Sequence, residues 1–67
     1  MTAKKMEAII FEDGWYLAEI RGSHHQYKHS TKQGKVTIPF HTKPKDLNSK
    51  TLQSIFKQAQ LDMRNYV

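Results

Sequence analysis

A short segment, Gly22-Ser23-His24-His25-Gln26-Tyr27, holds the side chains of this 67-residue chain that are best suited to acid–base chemistry. Histidine has an unperturbed pKa of about 6.5, so an imidazole both takes and gives protons near neutral pH. Arg21 and Lys28 flank the segment with cations that suit a phosphate, and Gly22 allows the backbone to approach one closely. Metal-free cleavage of a ribose phosphodiester needs a base for the 2′-OH proton, an acid for the leaving oxygen and a cation for the phosphorane.

The face of the sheet to which His24 points depends on the alternation of side chains along its strand. Successive side chains of a β-strand point to opposite faces of the sheet. If Tyr27 packs in the core, as its large ring favours, then His24, Gln26 and Lys28 point to the other face. An imidazole, an amide and an ammonium group would then lie side by side. Pattern alone leaves two interpretations of His24 open, a catalytic residue and a partly exposed histidine without function.

The remaining histidines give weaker indications of a catalytic role. His25 and His29 fall on the Tyr27 side of the same strand, where packing or hydrogen bonding at the edge of the core is expected, and His41 is an intermediate case. The Cα atoms of His25 and His29 would lie roughly 13 Å apart on an extended strand, too far to share an ion. The chain also has no cysteine to complete a zinc site. We therefore expect no metal and no other cofactor.

Two amphipathic helices are predicted, one near each end of the chain. From Thr2 to Glu12, apolar residues recur at spacings of three and four, Thr2 is a suitable N-cap, and Asp13-Gly14 ends the helix. A second helix is predicted from about Thr51 to Leu61, where apolar residues repeat at i, i+3, i+4 and i+7. This second stripe consists of Leu52, Ile55, Phe56 and Ala59.

Three strands are predicted between the helices. Trp15 to Ile20 form the first, His24 to His29 follow after a turn at Arg21-Gly22-Ser23, and Lys35 to Phe40 show the clearest period of two. Pro39 cannot donate a backbone hydrogen bond. The third strand therefore lies at a sheet edge there or ends there.

This order of elements predicts a single α+β domain over residues 1–67, with a three-stranded antiparallel sheet. Both apolar helix stripes need cover, so both helices should pack on one face of the sheet. The α-β-β-β-α order is similar to that of double-stranded RNA-binding domains. The opposite face stays open to water, and we expect the functional residues there.

The charge of the chain favours a polyanionic partner. Eleven Lys and Arg against six Asp and Glu give a net charge of +5. RNA is a natural partner for such a protein, although composition alone also fits a charge that only maintains solubility. No apolar run approaches the roughly 18 residues of a membrane span, and no signal peptide is recognisable. We therefore expect a cytoplasmic protein that does not bind membranes.

Several short motifs occur in the order and spacing of a known family. They are Asp13-Gly14-Trp15, Gly22-Ser23-His24-His25 with Tyr27, Val36-Thr37-Ile38-Pro39 with His41, Thr51-Leu52, Ser54-Ile55 and Lys57-Gln58-Ala59. With these motifs the chain resembles the HicA family of bacterial toxins over nearly its whole length. It departs from the family pattern where Ser49-Lys50 and Gln60 replace glycines near the ends of the second helix.

The resemblance implies a double-stranded-RNA-binding-like fold, an endoribonuclease that cleaves mRNA, and neutralisation by a HicB-type antitoxin that covers the active site in a hetero-oligomer. The histidine after Gly-Ser is catalytic in the family, so His24 is the expected catalytic residue, with Gly22 in support. The residues expected to support His24 or to bind RNA are Arg21, Gly22, Ser23, Gln26 and Lys28. Two other functions stay open: a non-catalytic RNA-binding module and a protein-interaction domain that uses the open sheet face.

Overall fold

Two helices and a three-stranded sheet follow one another in the order α1, β1, β2, β3, α2. A computed structural model describes residues 1–40 and 46–67 of the protein. The bounds are α1 Ala3–Glu12, β1 Trp15–Arg21, β2 His24–His29, β3 Val36–Pro39 and α2 Ser49–Ala59. The α+β fold with α-β-β-β-α order is confirmed.

Helix α1 begins and ends as its sequence predicts. The Thr2 hydroxyl accepts the Lys5 backbone N–H at 3.2 Å, and Asp13 is the C-cap. Gly14 follows with a φ of +101°, a conformation that strains any residue with a side chain. A Cβ on Gly14 would lie 2.8 Å from the His29 Nε2 atom. The end of α1 therefore packs tightly against the end of β2.

Helix α2 begins and ends two residues earlier than its sequence predicts. Asn48 is its N-cap, with the side-chain oxygen accepting the Thr51 N–H at 2.8 Å, so the first helical residue is Ser49. At the other end Gln60 has a φ of +59°, in the left-handed region that usually holds glycine. This reversal stops the helix at Ala59.

The loop between β2 and β3 joins the ends of both helices through one side chain. The Lys32 ammonium donates to an Asp13 carboxylate oxygen at 2.6 Å and to the Ala59 carbonyl at 3.1 Å. The first contact holds the end of α1, and the second occupies a carbonyl that the end of α2 leaves unpaired. The carboxyl-terminal segment then forms a short 3-10 helix, Met63–Asn65.

The sheet is antiparallel with the order β1-β2-β3, so β1 and β3 are edge strands. Pro39 lies on the edge strand β3, where its missing donor is tolerated. Strand β1 continues through Arg21, one residue further than its sequence predicts, and the turn contains only Gly22 and Ser23.

Strand β1 contains a β-bulge at Ala18. Leu17 pairs with Tyr27, but Glu19 pairs with Gln26, so one residue of β1 has no partner of its own on β2. An extra residue of this kind shifts the alternation of the side chains that follow it. As a result, Leu17 and Glu19 lie on opposite faces although they are two residues apart.

The core lies between the helices and one face of the sheet, where α1 contacts β1 and β3 and α2 contacts β3. Tyr27 is fully buried, which confirms the assumption that placed His24 on the opposite face. Ile9, expected on the apolar stripe of α1, is only partly buried. Within the two described ranges, neither helix is long and apolar enough to cross a membrane. The buried residues are Ala3, Met6, Ile10, Trp15, Tyr27, Val36, Ile38, Leu52, Ile55, Phe56 and Ala59.

Candidate active site

His24 lies on the open face of the sheet, at the start of the middle strand. Its side chain is exposed, whereas Tyr27 on the opposite face is buried. Across the sheet, His24 pairs with Arg21 on β1 and with Pro39 on β3. The imidazole therefore has a cation on one side and the edge strand on the other.

The bulge at Ala18 brings two charged residues to the face of His24. Glu19 pairs with Gln26 and Arg21 pairs with His24, so these four side chains share one face. The Arg21 Nε atom donates to a Glu19 carboxylate oxygen at 3.0 Å. Both side chains are exposed, 73% and 49%, so water weakens this ion pair and a phosphate can compete for the guanidinium. The sequence did not indicate Glu19, because alternation counted from the start of β1 places it on the core face.

Gln26 and Lys28 follow His24 on the same face at increasing distance. Gln26 is half-buried between its partners on β1 and β3, and Lys28 is exposed. Four residues of extended strand place the Lys28 Cα roughly 13 Å from that of His24. The structure therefore brings Gln26 next to His24 and leaves Lys28 at the far end of the strand.

Gly22 and Ser23 form the two-residue turn that leads into His24. Gly22 has a φ of +57° at the first central position, as a type II′ hairpin turn requires. Within the described part of the chain, a Cβ on Gly22 would meet no atom within 4 Å, so the backbone here is open to a ligand. The Ser23 carbonyl accepts the Phe40 N–H at 2.5 Å and holds the turn against the end of β3.

A groove of about 390 Å³ opens beside His24, between the edge strand β3 and helix α2. Gln58 bridges its two walls: the side-chain oxygen accepts the Thr37 N–H at 2.8 Å, and Nε2 donates to the Ser54 hydroxyl at 3.2 Å. The sequence contained the signal for this wall, a polar stripe beside the apolar stripe of α2. The groove is lined by His24, Thr37, Pro39, Lys50, Thr51, Ser54, Ile55 and Gln58.

His25 lies on the helix side of the sheet, as the alternation predicts. Its ring stacks on Phe40 with centroids 4.0 Å apart, and its Nδ1 atom lies 3.8 Å from a Glu7 carboxylate oxygen. That Nδ1 atom is buried and makes no hydrogen bond to any described residue. The same Glu7 oxygen accepts the Tyr27 hydroxyl at 2.5 Å. Burial, this hydrogen bond and the Glu7 charge raise the pKa of Tyr27 far above its usual value.

His29 joins the end of α1 to the loop after β2. Its Nδ1 atom accepts the backbone N–H groups of Thr31 and Lys32, both at 3.1 Å, so its Nε2 atom donates to the Asp13 carbonyl at 2.7 Å. The predicted structural role of His29 is confirmed. His41 lies outside the described residues. Across residues 1–40 and 46–67, no three potential ligand side chains converge on a common point that could hold a metal ion.

The fold and the site together define a small basic α+β protein with an exposed imidazole and a guanidinium on one open sheet face. Residues 3–61 match the family described as the HicA toxin of bacterial toxin–antitoxin systems. Because the match covers most of the chain, the protein belongs to the HicA toxin family, and the resemblance is confirmed. Among curated proteins, no relative matches the chain. The protein is therefore the toxin of a toxin–antitoxin pair, with an antitoxin as its partner.

Proposed function

We propose that this toxin is an endoribonuclease that cleaves mRNA without a metal and that His24 is its general acid and base. One observation carries the proposal: the His24 imidazole is exposed on the open face, with Arg21 directly across the hairpin. Family membership supports it, since a toxin needs an activity that harms its host. A HicB-type antitoxin would neutralise the toxin by covering this face in a hetero-oligomer.

The proposed reaction is a transesterification. His24 takes the proton of a ribose 2′-OH, and the 2′ oxygen attacks the adjacent phosphorus. The bond from phosphorus to the 5′ oxygen breaks, and the imidazolium returns its proton to that oxygen. The products are a 2′,3′-cyclic phosphate and a 5′-hydroxyl.

The neighbours of His24 have supporting roles in this mechanism. The Arg21 guanidinium stabilises the negative charge of the phosphorane, because a planar cation matches two phosphate oxygens at once. The Gly22-Ser23 turn allows close approach of the phosphate, and the Gln26 amide hydrogen-bonds the ribose or a phosphate oxygen. Lys28, further along the strand, binds a phosphate one or more nucleotides away.

The test is cleavage of RNA by the purified protein in excess chelator, with identification of the new ends. The wild-type protein should produce cyclic phosphates. His24→Ala should reduce the rate by about 10² to 10⁴, with an unchanged circular dichroism spectrum. Full activity of His24→Ala would remove the assignment.

The same experiment separates the enzyme from a non-catalytic RNA-binding module. The net charge of +5 and the open sheet face also suit a protein that binds a duplex through phosphates. Binding of RNA without any cleavage by the wild-type protein would favour the module. Cleavage that persists in chelator and depends on His24 would favour the enzyme.

A further inference from the structure

The groove between β3 and α2 takes no part in the proton transfers proposed for His24, yet it opens directly onto that residue. Its volume of about 390 Å³ lies in the range of sites that hold small ligands, roughly 300 to 1,000 Å³. Pro39 contributes apolar surface, and hydroxyl and amide groups of α2 contribute polar surface, whereas Ile55 lies beneath them in the core. A flat ligand with apolar faces and a polar edge fits this combination.

A chain of hydrogen bonds holds the Ser54 hydroxyl in place inside the groove. The Thr37 N–H is bonded to the Gln58 side-chain oxygen, which orients the amide so that its Nε2 atom donates to the Ser54 oxygen. The Ser54 oxygen accepts this bond with one lone pair, so its proton and its second lone pair stay available to a ligand. The edge strand thus fixes, through Gln58, the position of a hydroxyl group that a ligand can reach.

The rim of the groove carries a positive charge. Lys50 lines it on the α2 side and is exposed. His24 lines the groove on the sheet side. A ligand that fills the groove therefore lies between the proposed catalytic imidazole and an ammonium group suited to a phosphate.

We propose that this groove binds the nucleotide next to the scissile phosphate. The base packs on Pro39 and forms a hydrogen bond with the Ser54 hydroxyl, while Lys50 binds a flanking phosphate. This inference rests on the proposed function, since it takes RNA as the substrate. It adds that helix α2, rather than the open sheet face alone, selects which RNA sites are cut.

The first experiment compares Ser54→Ala with Ser30→Ala, which removes the same hydroxyl from an exposed loop outside the groove. Ser54→Ala should raise KM roughly 3- to 10-fold, leave kcat within about twofold, and change the distribution of cleavage sites in a mixed-sequence RNA. Ser30→Ala should change none of these. Unchanged KM and unchanged cleavage sites in Ser54→Ala would overturn the proposal.

The second experiment compares Lys50→Gln with Lys4→Gln, which removes the same charge from an exposed position on α1. RNA affinity is measured against salt concentration by fluorescence anisotropy. Lys50→Gln should reduce the slope of log affinity against log salt by about 0.7, the value for one phosphate contact on a single strand. Equal slopes for the two variants would argue against a phosphate at Lys50.

A binding measurement that needs no catalysis keeps the two proposals distinguishable. His24→Ala protein is titrated with a short RNA oligomer while backbone amide signals are followed by NMR. Signals of Ser54 and Gln58 should shift on binding. RNA that binds without moving them overturns the groove as a subsite, even if the wild-type protein cleaves RNA. Absence of cleavage by the wild-type protein overturns the proposed activity.

Discussion

His24 and His25 are adjacent in the chain and face opposite sides of the sheet. His24 is exposed on the open face beside Arg21, and His25 stacks on Phe40 with its Nδ1 atom buried near Glu7. Two residues of the same type thus have different surroundings because a strand alternates. The chemistry of the open face and the packing of the core can be altered separately at these two positions.

His25→Phe should leave RNA cleavage within about threefold of wild type, since a flat ring still stacks on Phe40 and the open face is untouched. It should also raise the free energy of unfolding by up to about 1 kcal/mol, because the variant removes a buried nitrogen without a described partner. Urea unfolding and cleavage assays measure the two effects. A loss of activity as large as that expected for His24→Ala would instead assign catalysis to His25.

Tyr27 should make the protein sensitive to alkaline pH. Its pKa is raised in the folded state by burial first, then by the hydrogen bond and charge of Glu7. The unfolded chain loses the hydroxyl proton above pH about 10 while the folded protein keeps it, so the free energy of unfolding falls as the pH rises above that value, by up to about 1.4 kcal/mol per pH unit. This contribution is fully present below pH about 10.

Urea unfolding from pH about 8 to about 11, a range that includes the usual tyrosine pKa of about 10, measures this slope. Tyr27→Phe should have a shallower slope, because the titrating hydroxyl is gone. Tyr16→Phe, at a side chain that is 52% exposed, should keep the wild-type slope. Identical slopes in wild type and Tyr27→Phe would show that the hydroxyl does not control alkaline stability.

Gly14→Ala should lower the free energy of unfolding more than Gly34→Ala does. Both glycines have positive φ, +101° and +82°, so each variant should lose about 1 kcal/mol from backbone strain. Among the described residues, only at Gly14 does the new Cβ meet another group, the His29 Nε2 atom at 2.8 Å, and break its hydrogen bond to Asp13. We expect Gly14→Ala to lower the free energy of unfolding by about 2 kcal/mol or more in denaturant melts. Equal losses in the two variants would contradict the close contact.

Gln60→Gly should stabilise the protein by up to about 1 kcal/mol, because glycine adopts the left-handed conformation at the end of α2 without strain. The lost bond from the Gln60 amide to the Gln33 carbonyl is exposed and offsets only part of this gain. Gln53→Gly, in the exposed middle of the same helix, should have the opposite sign and lower stability by about 1 kcal/mol. Thermal unfolding of both variants checks the pair, and a destabilised Gln60→Gly would refute the argument.

The sequence predicted those features of the fold that depend on the types and spacing of residues close together in the chain. The stripe of α1, the Thr2 cap and the alternation of β2 are confirmed because each depends on residues that are close in the chain. The full burial of Tyr27 then fixed the face of His24 without further information. The catalytic role of His24 stays a prediction.

The features that the sequence did not predict depend on distances between separate elements. Nothing local to Lys32 indicates that its ammonium reaches Asp13 and Ala59. The predicted start of α2 was wrong because several neighbouring residues are suitable N-caps. Only the observed hydrogen bond from the Thr51 N–H to the Asn48 side chain decides among them. The groove was not predicted because its two walls, β3 and α2, are separate elements of the chain.

The bulge at Ala18 makes the open face depend on the number of residues in β1 rather than on any one side chain. Arg21 and Glu19 lie on the same face as His24 because one extra residue of β1 precedes them. Replacing that alanine leaves the count intact, whereas shortening the chain there would turn both charges toward the helices. The number of residues in β1 therefore determines the charge of the open face as much as the types of those residues do.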